Sequence, residues 1–270
     1  MSRDFFRNNN KKIKELHNKF KGFPEVNETK IECWLENFDD SHKTLAIKVL
    51  ENIAYFDPSR IFQASNDLLI QIKILKNQDL SKVYFCFFGA PQKSGYAIIN
   101  MFAVANNLSG NNNTHKFKLL SELPQLISEE GEVTIIFLDD FVGTGNQAVN
   151  FFKEVQHLIP QNAEVFLGVI AAFEKGMTNI RENTDMKVIC HKRLNKENML
   201  FSNINTTFND EEKTILKDYC KKTGLSNPEG YGNCEALVVF PYRTPNNSVS
   251  IIGAQNDKWN GLFPRYPAND

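Results

Sequence analysis

The sequence predicts an α/β protein in which helices flank a mostly parallel sheet, with an N-terminal helical appendage. Two patterns lead to this prediction. From Lys82 onward, short and dense apolar runs alternate with helical periods, which is typical of crossover units around a parallel sheet. Before Lys82, apolar residues recur at the spacing of one helix face. We therefore expect a helical region over residues 1–80 and an α/β domain with a C-terminal hood-like segment over residues 81–270.

Composition and charge narrow the class of protein. Hydrophobic residues make up 41% and charged residues 23% of the 270 residues, as in ordinary globular proteins. The net charge of −1 gives no overall attraction to nucleic acid or to an anionic membrane, so neither partner is indicated. The longest apolar runs fall short of the roughly 20 residues that span a bilayer. The polar N-terminus lacks a secretory signal, and we expect a cytoplasmic protein.

The chain has five scattered cysteines without a Cys-x-x-Cys pair. This pattern indicates neither a disulfide framework nor a thiolate zinc site.

The N-terminal region is predicted to be helical. Apolar spacing predicts helices over residues 45–54 and 61–75, separated by Asp57 and Pro58, and a weaker helix around Ile13 and Leu16. These helices are expected to form core or to contact another protein.

The α/β region is predicted to contain several short strands. The apolar runs place them at residues 83–88, 133–138, 164–171, 187–190, 236–240 and 248–252. Helical periods follow the first and second of these strands. A later helix is expected to begin at Asn209, because Glu212 three residues on would complete a capping box.

A charged and glycine-containing segment follows the second predicted strand, over residues 134–149 (TIIFLDDFVGTGNQAV). Asp139 and Asp140 come directly after the apolar run, and two glycines flank Thr144 before the next helix. Ligands bind at the carboxyl ends of the strands in open parallel sheets, so we expect both acids at the solvated rim of a crevice. The glycines permit a tight turn that gathers N–H groups, and the helix start adds its positive dipole end.

This combination predicts a site for a sugar phosphate. The turn suits a phosphate, and the paired acids suit hydroxyl groups or a hydrated Mg²⁺. The alternative interpretation is a solvated strand end with a helix cap and no ligand, since short motifs also match by chance.

The segment resembles the phosphoribosyl pyrophosphate signature of the type I phosphoribosyltransferases. In that family a hydrophobic strand leads to two acids, two variable residues and a Thr/Gly-rich loop. The resemblance implies a phosphoribosyltransferase-like fold, and it implies that Asp139 and Asp140 hold the ribose 2- and 3-hydroxyls and take part in binding Mg²⁺. It also implies that the 5-phosphate is bound by the loop residues Gly143, Thr144, Gly145, Asn146 and Gln147.

A second loop lies upstream, where the family has its pyrophosphate loop. The strand at 83–88 leads into residues 89–95 (GAPQKSG) and then into a helix. Lys93 is expected to neutralise the leaving pyrophosphate, although a lysine here is also typical of a plain surface charge. Ser94 and Gly95, at the helix start, are expected to donate hydrogen bonds to the same oxygens.

Three functions remain open. The preferred one is a Mg²⁺-dependent glycosyltransferase or hydrolase that acts on phosphoribosyl pyrophosphate. The C-terminal segment, with Arg243 and Arg265 as candidate phosphate ligands, is similar to the tail of a phosphoribosyltransferase-like subgroup from bacterial conflict and antiviral defence gene sets, which implies a nucleotide-depleting effector. Gln147 stands where the family commonly has Thr or Ser, and Gly143 stands where purine-salvage members have an acid. These differences favour a non-catalytic sensor of phosphoribosyl pyrophosphate or a nucleotide.

Overall fold

The computed structural model describes residues 2–89, 94–110, 113, 116–126 and 132–265. The chain forms two compact units: one contains Met1–Pro58 and Lys196–Asp270, and the other contains Ser59–Asn195. The first unit is therefore built from both ends of the chain. The sequence-based boundary was expected between residues 80 and 81, whereas this division falls near residue 58 and again near residue 195.

The first unit is mainly helical. Its helices and strands are α1 (Ser2–Lys19), α2 (Glu28–Leu35), α3 (Lys43–Glu51), β1 (Ala54–Tyr55), α8 (Asp210–Lys222), β6 (Val238–Val239) and α9 (Ser250–Gly253). Strands β1 and β6 pair in parallel, with Ala54 opposite Val238. The expected capping box of α8 is present, since Asn209 and Glu212 each accept a hydrogen bond from the other's backbone N–H.

One hydrophobic core joins the two chain segments of this unit. On α1, Ile13 and Leu16 are buried, and so is Phe20 just after the helix. The Phe20 ring packs edge-on against Phe263, with 4.8 Å between ring centroids. The Trp34 indole donates a hydrogen bond to the Ile251 carbonyl at 2.8 Å. The N-terminal helices are thus partners of the C-terminal segment in one core.

The predicted strand at residues 248–252 is wrong, because this segment forms the short helix α9 instead. The Ile251 carbonyl of this helix accepts a second hydrogen bond, from the Trp259 indole at 3.0 Å. The Ser250 hydroxyl donates in turn to the Cys220 carbonyl at 2.9 Å. A short apolar run does not distinguish a strand from a buried helical turn, and these long-range contacts decide between them here.

The second unit is a parallel α/β sheet with helices on both faces. Its elements are α4 (Pro58–Leu75, whose first residue falls in the other unit), β2 (Val83–Phe87), α5 (Ser94–Ala105), β3 (Val133–Val142), α6 (Asn146–Val155), β4 (Ala163–Phe173), α7 (Glu174–Asn183) and β5 (Lys187–Leu194). The strand order is β2-β3-β4-β5, and every neighbouring pair is parallel. The predicted fold class, a mostly parallel sheet flanked by helices, is confirmed.

The alternation of side chains along β3 assigns the helices to faces. Ile135 and Phe137 pack in one cluster with buried residues of α6 and α7. Ile136 points to the other face and is in register with Phe85, whose ring lies 4.9 Å from that of Phe102 in α5. Helix α4 is tied to the edge strand β5, where Asp67 pairs with His191 at 2.7 Å. No helix of the described residues is long and apolar enough to cross a membrane.

An ion-pair cluster lies at the amino end of the sheet. Glu164 of β4 binds the amines of Lys76 and Lys187, the latter at 2.6 Å. Burial alone would raise the pKa of the Glu164 carboxyl, but the hydrogen bonds and charges of Lys187 and Lys76 outweigh it and lower that pKa below the usual 4.5. A carboxyl whose pKa is lower in the folded state stabilises the fold above its unfolded-state pKa, and loses that contribution as the pH falls through its folded-state pKa.

We expect Glu164→Gln to lower the free energy of unfolding by about 1 kcal/mol at neutral pH, since the two lysines lose their charged partner. The difference from the wild type should shrink as the pH falls from 4.5 through the lower pKa of Glu164 in the folded protein, below which the wild-type carboxyl is neutral as well. Urea unfolding at a series of pH values measures this difference. Glu182→Gln is the control, because Glu182 is exposed and forms no ion pair with any described residue. If the difference in unfolding free energy between the wild type and Glu164→Gln stays constant as the pH falls, the ion pairs of Glu164 do not stabilise the fold.

Candidate functional site

The two acids of the signature lie inside β3 and are buried. Asp139 is 4% exposed and Asp140 1% exposed, so the expectation that these acids are solvated is wrong. The strand continues beyond them, with Phe141 opposite Ala171 of β4. On the other side β2 ends opposite Leu138, so the acids lie past the end of that neighbouring strand. The carboxylates are therefore held within the carboxyl edge of the sheet.

Asp139 receives a hydrogen bond from the start of α5. The Ser94 hydroxyl donates to Asp139 Oδ1 at 2.6 Å, and Ser94 is itself only 5% exposed. A short O–H to carboxylate bond of this kind is among the stronger hydrogen bonds in proteins. The structure thus brings together two predicted site residues from different loops.

Gly95 explains how α5 comes so close to the sheet. A Cβ atom at this position would lie 2.3 Å from the Phe88 carbonyl oxygen and 2.9 Å from the Leu138 carbonyl oxygen. Only glycine permits this approach without displacing the backbone. Lys93, expected to meet the leaving pyrophosphate, lies outside the described residues.

A tight turn connects β3 to α6. Its last residue, Gly145, is the N-cap of α6 with φ +80° and ψ −10°, a conformation that favours glycine. Having no side chain, this cap cannot satisfy the N–H groups that the first helical turn leaves without intrahelical partners. The Thr144 hydroxyl is half-buried and accepts a long 3.4 Å bond from the Asn146 N–H, while the side chains of Asn146 and Gln147 are exposed. The turn therefore has the composition of an anion site.

Helix α7 supports this turn from behind. The Asn179 amide donates to the Thr144 carbonyl at 2.8 Å and to Asn146 Oδ1 at 2.9 Å. A Cβ on Gly145 would lie 2.5 Å from the Gly176 carbonyl oxygen, and a Cβ on Gly176 would lie 2.4 Å from the Gly143 carbonyl oxygen. Gly176 and Asn179 were not among the predicted site residues, because about 30 residues separate them from the signature and only the fold brings them to the turn.

The two cysteines of the sheet carry no thiolate. Burial raises the pKa of the Cys86 thiol in β2 to about 12, and it also raises the pKa of Cys190 in β5. Both thiols are therefore protonated at neutral pH and supply no nucleophile. Asp139 and Asp140 remain as the ionisable groups of the signature within this edge of the sheet.

The two tail arginines belong to the first unit. The Arg265 guanidinium donates to the Ser248 carbonyl at 2.7 Å, so it helps to hold the C-terminal segment. The backbone of Arg243 pairs with Phe240 in a turn. Their suggested role as phosphate ligands stays a prediction.

Comparison with known proteins gives a family and distantly similar solved structures. No curated protein matches this chain. The structure of AQ2163 protein from Aquifex aeolicus is similar at 11% identity and TM-score 0.33, covering 62% of this chain and 83% of that one. Orotate phosphoribosyltransferase from Aeropyrum pernix is similar at 14% identity and TM-score 0.27, covering 48% and 68%. The profile of the family described as PRTase-CE matches residues 31–265, which include the signature, the upstream loop and most of both units. The resemblance drawn from the signature is confirmed, and the chain belongs to the phosphoribosyltransferase-like PRTase-CE family.

Proposed function

We propose that this protein binds phosphoribosyl pyrophosphate together with Mg²⁺ and releases pyrophosphate, passing the phosphoribosyl group to an acceptor or to water. The observation that carries the proposal is the succession of two buried carboxylates and a glycine turn at one end of the inner strand β3. Membership of the PRTase-CE family supports the same ligand class.

The 5-phosphate would bind at the turn and the start of α6. There the N-cap Gly145 supplies no side-chain acceptor to the first turn of α6, the Thr144 hydroxyl lies beside that turn, and the helix dipole favours an anion. The support from Asn179 and Gly176 fixes the turn before the ligand arrives, so little ordering is left for the binding step.

The ribose would be held by Asp139 and Asp140, which accept hydrogen bonds from its hydroxyl groups. In the reaction the bond between C1 and the pyrophosphate oxygen breaks, and its electron pair leaves with pyrophosphate. The acceptor or water then bonds to C1 and gives up a proton. Positive charge develops on the ribose ring meanwhile, and two fixed carboxylates in a water-poor site stabilise that charge more than solvent would.

The residues fit Mg²⁺ that arrives with a diphosphate. The described residues contain no group of three or more His, Cys, Asp or Glu side chains that would hold a metal alone. Asp139 and Asp140 offer carboxylate oxygens, and Mg²⁺ commonly binds to one or two carboxylates together with substrate phosphates. When bound, Mg²⁺ would offset the negative charge of the leaving pyrophosphate, and Lys93 is proposed to assist it.

The direct test is pyrophosphate release. Purified protein with Mg²⁺ and phosphoribosyl pyrophosphate would be assayed without acceptor and with a panel of nucleobases. Release above the rate of a heat-inactivated sample supports the proposal, and the base that raises it identifies the acceptor. Absence of both binding and release would overturn it.

A non-catalytic sensor is the second candidate. Gly143 offers no side chain as a base toward an acceptor, and Gln147 is exposed at the loop position where a hydroxyl is common in the family. Tight binding of phosphoribosyl pyrophosphate by calorimetry without pyrophosphate release would favour the sensor over the transferase.

We expect Asp140→Asn to weaken binding of Mg²⁺ and phosphoribosyl pyrophosphate by about 100-fold or more, because an amide loses the charge and one acceptor oxygen. Since Asp140 is buried, the melting temperature is measured alongside the affinity. Asp185→Asn is the matched control, because Asp185 is an exposed acid of the same unit. Unchanged affinity in a folded Asp140→Asn protein would remove Asp140 from the site.

We expect Gly145→Ala to weaken the same ligand by about tenfold or more. The added Cβ meets the Gly176 carbonyl, and the positive φ strains any other residue, so the N–H groups of the turn move. Gly110→Ala is the control, because a Cβ there meets no atom within 4 Å. Titration calorimetry gives both affinities, and equal values would show that the turn does not bind the phosphate.

A further inference from the structure

Ser94 is engaged differently from what its place in the sequence indicates. At the start of α5 it was expected to donate to the pyrophosphate. In the structure its hydroxyl donates to Asp139 Oδ1 at 2.6 Å, with both residues at most 5% exposed. The hydroxyl hydrogen is therefore directed to a carboxylate of the protein.

The backbone around this contact fixes its position. The Phe88 N–H donates to the Leu138 carbonyl at 3.1 Å, which extends the pairing of β2 with β3 up to the residue before Asp139. Gly95 lies against the same Leu138 carbonyl. Ser94 precedes Gly95 in the chain and Asp139 follows Leu138. The hydrogen bond between Ser94 and Asp139 therefore follows from the packing of α5 on the sheet.

A carboxylate held in this way has a defined orientation. An Asp side chain can rotate about its χ1 and χ2 bonds. A hydrogen bond from a fixed donor to one carboxylate oxygen removes much of that rotational freedom. The other oxygen, Oδ2, is then directed by the same contact. A preoriented carboxylate binds a sugar hydroxyl without first losing this rotational entropy.

We propose that Ser94 is a positioning residue for the sugar: its hydroxyl orients Asp139 toward the ribose hydroxyls and does not bind the diphosphate. This inference rests on the proposed function, because it names the part of phosphoribosyl pyrophosphate that depends on Ser94. If Ser94 binds pyrophosphate, its loss weakens ligands that contain pyrophosphate. If Ser94 orients Asp139, its loss weakens ligands that contain ribose.

The test measures three ligands by titration calorimetry: phosphoribosyl pyrophosphate with Mg²⁺, ribose 5-phosphate, and pyrophosphate with Mg²⁺. For Ser94→Ala we expect the two ribose-containing ligands to bind about tenfold or more weakly, the loss of one hydrogen bond to a charged group. Pyrophosphate should bind within about twofold of the wild type, a difference too small for the loss of such a bond. Ser94→Thr keeps the hydroxyl and should restore most of the ribose affinity.

Ser65→Ala is the matched control. Ser65 is a fully buried serine of α4 in the same unit, and its hydroxyl donates to the Ile61 carbonyl at 2.8 Å. Its loss removes a buried hydroxyl without touching Asp139, so all three affinities should stay unchanged. Melting curves of every variant confirm that the proteins compared are folded.

Three results would overturn the inference. Ser94→Ala that weakens pyrophosphate but not ribose 5-phosphate makes Ser94 a pyrophosphate ligand. Equal affinities in the wild type and Ser94→Ala show that the contact does not orient Asp139 for binding, as does a Ser94→Thr protein as weak as Ser94→Ala. A wild-type protein that binds none of the three ligands defeats the proposed function itself, which distinguishes the two failures.

Discussion

The burial of two adjacent carboxylates in β3 is the constraint on which the rest of the site depends. A carboxylate removed from water is strongly destabilised unless hydrogen bonds or charges compensate for the lost hydration. Asp139 and Asp140 are almost fully enclosed, and the structure meets this demand in part through the Ser94 hydroxyl. That donor is available only because α5 begins against the sheet, which in turn requires glycine at position 95. A purely structural strand end would have no reason to retain such costly groups, so their burial favours a binding role.

The glycine turn that follows the acids is also subject to a physical constraint. A loop that binds a phosphate through backbone N–H groups must leave those groups unsatisfied by the protein and still be rigid. Here Gly145 caps α6 without a side chain, and the rigidity comes from α7, through Asn179 and the close approach of Gly176. The support acts on carbonyl groups and on the Asn146 side chain, and not on the N–H groups of the turn. Helices on both faces of the sheet therefore contribute to one edge, α5 from one face and α6 and α7 from the other.

The sequence alone predicted the features that depend on a local pattern of residues. Period and apolar density predicted the four parallel strands, and the order of acids, glycines and helix predicted the turn. The burial of the acids was not predictable, because the end of β3 is set by its pairing with β4, where Phe141 lies opposite Ala171. Asn179 and Gly176 carry no signal in an isolated sequence, since a polar and a small residue on a helix are common. The role of Ser94 was hidden for the same reason: a serine at a helix start predicts a donor, and only the packing shows which acceptor it meets.

The two compact units also show why a boundary drawn along the chain differs from one drawn in space. Helical periodicity groups residues 1–80, yet α4 is bound to β5 through Asp67 and His191, whereas α1 packs with the C-terminal segment. Phe20 lies outside the region matched by the family profile, which begins at residue 31, but its ring is fully buried against Phe263 within that region. The C-terminal segment thus shares its core with residues that precede the matched region. Since a buried aromatic contributes several kcal/mol when packed, Phe20, directly after α1, stabilises the core that Ile13 and Leu16 of α1 also enter.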